Sequence, residues 1–207
     1  MTMSTTEAGT DATIISERVS EGIAAWARLA EAIRSERLVH EVEAAGADVL
    51  SALRAGHKIL VAGNGGSAAI ASHVAAEFLG KCIQDRHPLP AISLAESHSS
   101  LTAIGNDYGF DEVFLRGVQA FGQPGDVLVA MSTSGSSVNI LRAVEEARRL
   151  GLRTILMVGG RGESRRGSAD HTLVVPSDET PRIQEVHMLW AHAWCEAVDL
   201  AMDQHGR

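Results

Sequence analysis

Positive charge is what this chain is short of. Eighteen lysines and arginines face 26 aspartates and glutamates, a formal net charge of −8, so the electrostatics give no support to nucleic-acid binding. Cysteine is nearly absent. Cys82 and Cys195 stand at no metal-ligand spacing and fit a reducing, cytoplasmic setting. No apolar run approaches the ~20 residues that a membrane-spanning helix needs. The N-terminal MTMSTTEAGTD has neither the basic nor the apolar region of a signal peptide and reads as a short disordered tail over 1–11. Nucleotide fingerprints are missing too: there is no GxGxxG, and no Gly-Lys-Ser/Thr ending of a P-loop. With no internal repeat and no low-complexity linker, residues 1–207 read as one domain.

What is present is an alternation of apolar segments. Ile15, Val19, Ile23, Trp26, Leu29 and Ile33, then Leu38, Val42, Ala45, Val49 and Leu53, recur at helical steps and predict a helical pair over 12–54. Ser35 is a candidate N-cap for its second member and Gly56 a stop for it. The pair either covers the sheet or forms an oligomer contact. Beyond it, in an α/β core with a C-terminal helix over 55–204, short apolar runs near 57–62, 90–94, 126–131, 153–158 and 171–175 suit parallel strands buried on both faces. Helices are expected near 66–80, 98–104, 111–121, 136–150 and 180–204, with Pro181 in the first turn of the last. The fold class is therefore α/β, a three-layer sandwich around a five-stranded parallel sheet of flavodoxin-like order 2-1-3-4-5.

That order places the turns after the first and third strands side by side. The first is Gly63-Asn64-Gly65-Gly66-Ser67, leading into a helix that carries His73 and Glu77 on one face. Converging backbone N–H groups and the helix dipole make such a turn an anion cradle. The second, Met131-Ser132-Thr133-Ser134-Gly135-Ser136-Ser137-Val138-Asn139, offers five hydroxyls at another helix start; it is a phosphate loop or a serine-rich capping turn. A third cluster, Gly105-Asn106-Asp107-Tyr108-Gly109, reaches the same crevice or is an ordinary Asn-Asp turn. In the last helix Gln184, Glu185, His187 and His192 interrupt an apolar stretch. Periodicity pairs Glu185 with His192 and leaves Gln184 about 80° away. Gln184 and His192 are also separated by about 12 Å along the axis. If both serve one kind of site, a neighbouring subunit supplies one of them.

The motifs AGNGGSAAIASHVAAEF, IGNDYGF, STSGSSVN and RIQEVHMLWAH together resemble those of phosphoheptose isomerases of the sugar-isomerase (SIS) fold. The likeness runs from the N-terminal helices to about Leu200. It implies conversion of sedoheptulose 7-phosphate to D-glycero-D-manno-heptose 7-phosphate through an enediol, the first step of ADP/GDP-heptose biosynthesis. Asn64, Gly65, Gly66, Ser67, Asn106, Asp107, Ser132, Thr133, Ser134 and Ser137 match substrate-contacting positions, as do Glu77 and Gln184. His73, Glu77, Gln184 and His192 match zinc-site residues, one Zn2+ per subunit, and Glu77 and His192 match the catalytic pair. The resemblance thus selects Gln184 where periodicity selects Glu185. It further implies a cytoplasmic homotetramer with active sites shared between subunits. Ser136-Ser137 departs from the Asn-Ser of many relatives. Two rivals share the fold: a binding protein regulating replication initiation through the DnaA protein, whose kind lacks the helix glutamate and last histidine, and an isomerase of another sugar phosphate.

Overall fold

The computed structural model describes the backbone of residues 5–203 and the side chains of residues 10–202. Five parallel strands form one sheet in the order β2-β1-β3-β4-β5, as the alternating pattern predicts. They are β1 (Ile59–Gly63), β2 (Ala91–Ser93), β3 (Val127–Ser132), β4 (Arg153–Val158) and β5 (His171–Val174). The helices are α1 (Thr5–Ala32), α2 (Glu36–Arg54), α3 (Gly66–Leu79), α4 (His98–Tyr108), α5 (Val113–Phe121), α6 (Val138–Arg149) and α7 (Thr180–Asp203). Two short 3-10 segments, Phe110–Glu112 and Gly160–Arg165, complete the described chain.

The pleat explains the layers. Ile59 and Val61, Val127 and Val129, and Ile155 and Met157 point into one core with α2, α3 and α7. Their neighbours Leu60, Leu128 and Leu156 point into the other, against residues of α5 and α6. Every residue of β1 and β3 is buried, which accounts for continuous apolar runs in place of alternating ones. β1 and β3 pair in register from Ile59↔Val127 to Gly63↔Met131. Their C-terminal ends are therefore level, and the turns that follow them are adjacent.

Three local expectations change. α1 begins at Thr5, so it takes in Thr5–Asp11 of the expected tail; the chain has no proline before Pro88, and nothing in this stretch stops a helix. Residues 1–4 lie outside the described residues. Ser35 occupies the N-cap position of α2, but its side chain makes no capping bond. α4 runs on to Tyr108, so Asn106 and Asp107 belong to a helix end and not to a free turn. Gly109, at φ 94°, marks the stop that Gly105 does not provide. Gly56, at φ 82°, follows α2 as expected.

Candidate active site

Gly65 makes the β1–α3 turn possible: its φ of 54° lies in the left-handed region. Across from it Ser132 ends β3 and Ser137 stands at the N-cap of α6, their hydroxyls 2.9 Å apart. Ser134 and Ser136 pair at 2.8 Å. The serine turn is tied to the β4 side as well. Gly159 N–H donates to the Thr133 carbonyl at 3.1 Å, and Arg165 Nε donates to the Gly135 carbonyl at 2.8 Å. Between the two turns, Asn64 and Asn139 exchange two amide hydrogen bonds of 2.9 Å each. Arg165 does not stand out as a site residue in the sequence, and Asn139 closes the second cradle there without an assigned role. A signal for Asn139 does exist, since a polar amide in the first turn of an apolar-faced helix needs a partner once it is buried.

One helix face of α3 and one of α7 bring the charged groups together. His73 Nε2 lies 2.9 Å from His192 Nε2 and 3.4 Å from Glu77 Oε1. One ligand atom from each of these three residues lies within 4.8 Å of the others. Two imidazoles and a carboxylate converging in this way could hold a metal ion. Glu77 is the less exposed partner, at 19% against 42% for His73. Its backbone carbonyl accepts from Arg86, at 2.9 Å, which fixes the last turns of α3. Cys82 lies beside it; burial first, and then the Glu77 carboxylate, push the thiol up to about 12. Cys82 and Cys195 are both free.

Gln184 is not in this trio's immediate surroundings. Its amide packs on Gly66, where an added Cβ would lie 2.6 Å from Nε2. Gly66 starts α3 and His73 lies two turns along it, so one chain's Gln184 and His192 reach opposite ends of the same face. Glu185, the residue periodicity favours, is exposed and pairs with Arg182 at 2.7 Å. His187 is fully buried with neither ring nitrogen within hydrogen-bonding geometry of a partner. Burial pushes it down to about 4, opposed slightly by the Val158 backbone.

Asn106 donates to Asp107 at 2.7 Å, and both are exposed. Asp107 lines a cavity of ≈ 660 Å³ bounded by β2, α4 and α5. None of the glycine-turn, serine-turn or His73–Glu77–His192 residues lines it.

The family is decided by likeness to known proteins. Residues 23–159 match the SIS domain model. A phosphoheptose isomerase of Bradyrhizobium sp. (strain ORS 278) is 51% identical over 159 residues, 77% of this chain and 80% of that protein. The chain belongs to the phosphoheptose isomerase family. Among solved structures, phosphoheptose isomerase GmhA from Neisseria gonorrhoeae is 41% identical, with a TM-score of 0.82 over 90% of this chain and 99% of that one. A phosphoheptose isomerase from Francisella tularensis is 36% identical, with a TM-score of 0.84 over 89% and 97%.

Proposed function

We propose that the chain is an aldose–ketose isomerase that converts sedoheptulose 7-phosphate to D-glycero-D-manno-heptose 7-phosphate. The observation that carries this reading is the meeting of Glu77 and His192 with His73 on the helix that leaves the first anion cradle. Backbone N–H groups at Asn64, Gly65 and Gly66, with Ser67 beside them, and hydroxyls of Ser132, Thr133, Ser134 and Ser137 hold the phosphate. Asn106 and Asp107 we assign to the sugar chain. Glu77 takes the proton from C1 of the ketose and returns it to C2 of the enediol, while His192 exchanges protons with the oxygens on those carbons. His73, Glu77 and His192, with Gln184 of a neighbouring subunit, would hold Zn2+. A metal ion held there would supply Lewis-acid polarisation of the substrate carbonyl.

The apolar stripe on α1, where Ile15, Val19 and Ile23 are 64%, 56% and 66% exposed, supports a homo-oligomer, and we assign it to the tetramer. Among the described residues no helix is long and apolar enough to cross a membrane, which agrees with a cytoplasmic site of action.

The test is turnover of sedoheptulose 7-phosphate by the full chain, with and without a chelator and added zinc. Glu77→Gln and His192→Gln are each expected to abolish isomerisation with the circular dichroism spectrum unchanged. Normal turnover by either variant would remove the mechanism. No turnover by folded, zinc-loaded wild type would move the reading to the binding protein that acts through DnaA.

A further inference from the structure

The hydrogen-bond ladder between β1 and β3 ends at Gly63↔Met131. Past that point no backbone pairing holds the glycine turn and the serine turn together. The Asn64–Asn139 amide pair stands where the ladder stops. Asn64 Nδ2 donates to Asn139 Oδ1 and Asn139 Nδ2 donates to Asn64 Oδ1, both at 2.9 Å. Asn139 Oδ1 also accepts from the Ile140 N–H at 2.9 Å, a first-turn donor of α6 that it shares with the Ser137 carbonyl at 3.1 Å. Asn139 is 2% exposed. It is thus anchored to its own helix and bonded across to the neighbouring turn.

We infer that Asn139 is a positioning residue whose amide pair with Asn64 sets the spacing of the two cradles around a phosphate-type oxyanion. This rests on reading the two turns as a phosphate site. The pair makes a specific demand on residue type. Each member must donate and accept through one short planar group, which asparagine does at this reach. Aspartate at either position lacks the N–H and sets oxygen against oxygen, and a longer or apolar side chain breaks one or both bonds. The pair also changes what Asn64 does. Its amide is occupied by the strut, so the glycine turn meets the anion through backbone N–H groups near Gly65 and Gly66. Because the strut is neutral, it leaves the positive ends of α3 and α6 free to act on the ligand. On its far side the serine turn is held by Gly159 N–H and Arg165, so the amide pair is the connection that sets its distance from the glycine turn.

The experiment measures inorganic phosphate binding by calorimetry on the full chain, together with kcat and KM for the sugar phosphate. It compares wild type, Asn64→Ala, Asn139→Ala and the double variant. A strut is lost once, whichever end is removed. Each single variant is expected to weaken phosphate binding roughly tenfold, with the loss in turnover falling on KM more than on kcat. The double variant is expected within about twofold of the weaker single. A merely structural residue would lower the melting temperature without that split between KM and kcat. Unchanged phosphate affinity in either single variant overturns the inference. So does a multiplicative loss in the double, roughly a hundredfold, which would mean two independent contacts. If Asn139→Ala does not fold, Asn64→Ala removes the same strut from its less buried end and decides the matter. Wild type that binds no phosphate would instead overturn the phosphate-site reading itself.

Discussion

Burying His187 without a hydrogen-bond partner ties folding stability to pH. Its pKa in the folded chain is depressed to about 4 from an ordinary 6.5, so between those values the unfolded chain binds the proton and the folded chain does not. The contribution is intact above about pH 6.5 and is lost progressively as pH falls to about 4, on the order of 3 kcal/mol in all. Denaturant unfolding of wild type and His187→Leu across pH 4–7 checks this, with wild type losing on the order of 3 kcal/mol relative to the variant as pH falls. Gly66 makes a second residue-scale case. A methyl there would meet the Gln184 amide at 2.6 Å, and the end of a flexible side chain can swing away. Gly66→Ala should therefore fold with a melting temperature within a few degrees of wild type and yet lose isomerase activity, because the amide is displaced and the turn's approach to an anion is blocked. The sequence points to Gln184 only through its resemblance to relatives. The contact with Gly66 is long-range, and helical periodicity cannot register it.

At the scale of elements, α3 and α7 are clamped at one end by a buried ion pair. Arg86 and Asp199 have side-chain exposures of 2% and 0% and meet at 2.7 Å. Asp199 accepts the N–H groups of Cys82, Ile83 and Gln84, while Arg86 donates to the carbonyls of Glu77, Phe78 and Gly80 at the end of α3. The clamp holds the pitch at which Glu77 faces His192. Arg86→Ala should cost about 3–5 kcal/mol in urea unfolding, since it leaves Asp199 buried and uncompensated. Arg86→Met with Asp199→Leu should cost clearly less than Arg86→Ala alone. Elements of this kind divide cleanly by legibility. Strands, helix order and Pro181 in the first turn of α7 were readable, because period and proline geometry act locally. The reach of α4 to Tyr108, the 3-10 segment Gly160–Arg165 and the Arg86–Asp199 clamp were not, since each depends on partners far away in the chain.

For the whole molecule, the sheet order followed from parallel strands and short crossovers, and it carried the adjacency of the two turns with it. What the order alone leaves open is how the proposed site, with Gln184 beside the His73–Glu77–His192 trio, closes. His192 of one chain already reaches that chain's own His73 at 2.9 Å, whereas Gln184 packs against Gly66, about 12 Å back along α7. Under the shared site we propose, Gln184 and not His192 is the residue expected from the neighbouring subunit. Glu77→Gln and Gln184→Ala should each be inactive as homo-oligomers. When the two are unfolded together and refolded as a mixture, half of the subunit pairs are mixed, and in each mixed pair one of two sites inherits both intact residues. Activity should return to about a quarter of the wild-type value by that symmetry argument. If Gln184 acts within its own chain, every site in the mixture keeps one lesion and no activity returns. Charged replacements on the α1 stripe, Ile15→Glu with Val19→Glu, should shift the sedimenting species to lower mass and abolish the recovery. That outcome would tie catalysis to the assembly and not to the single chain.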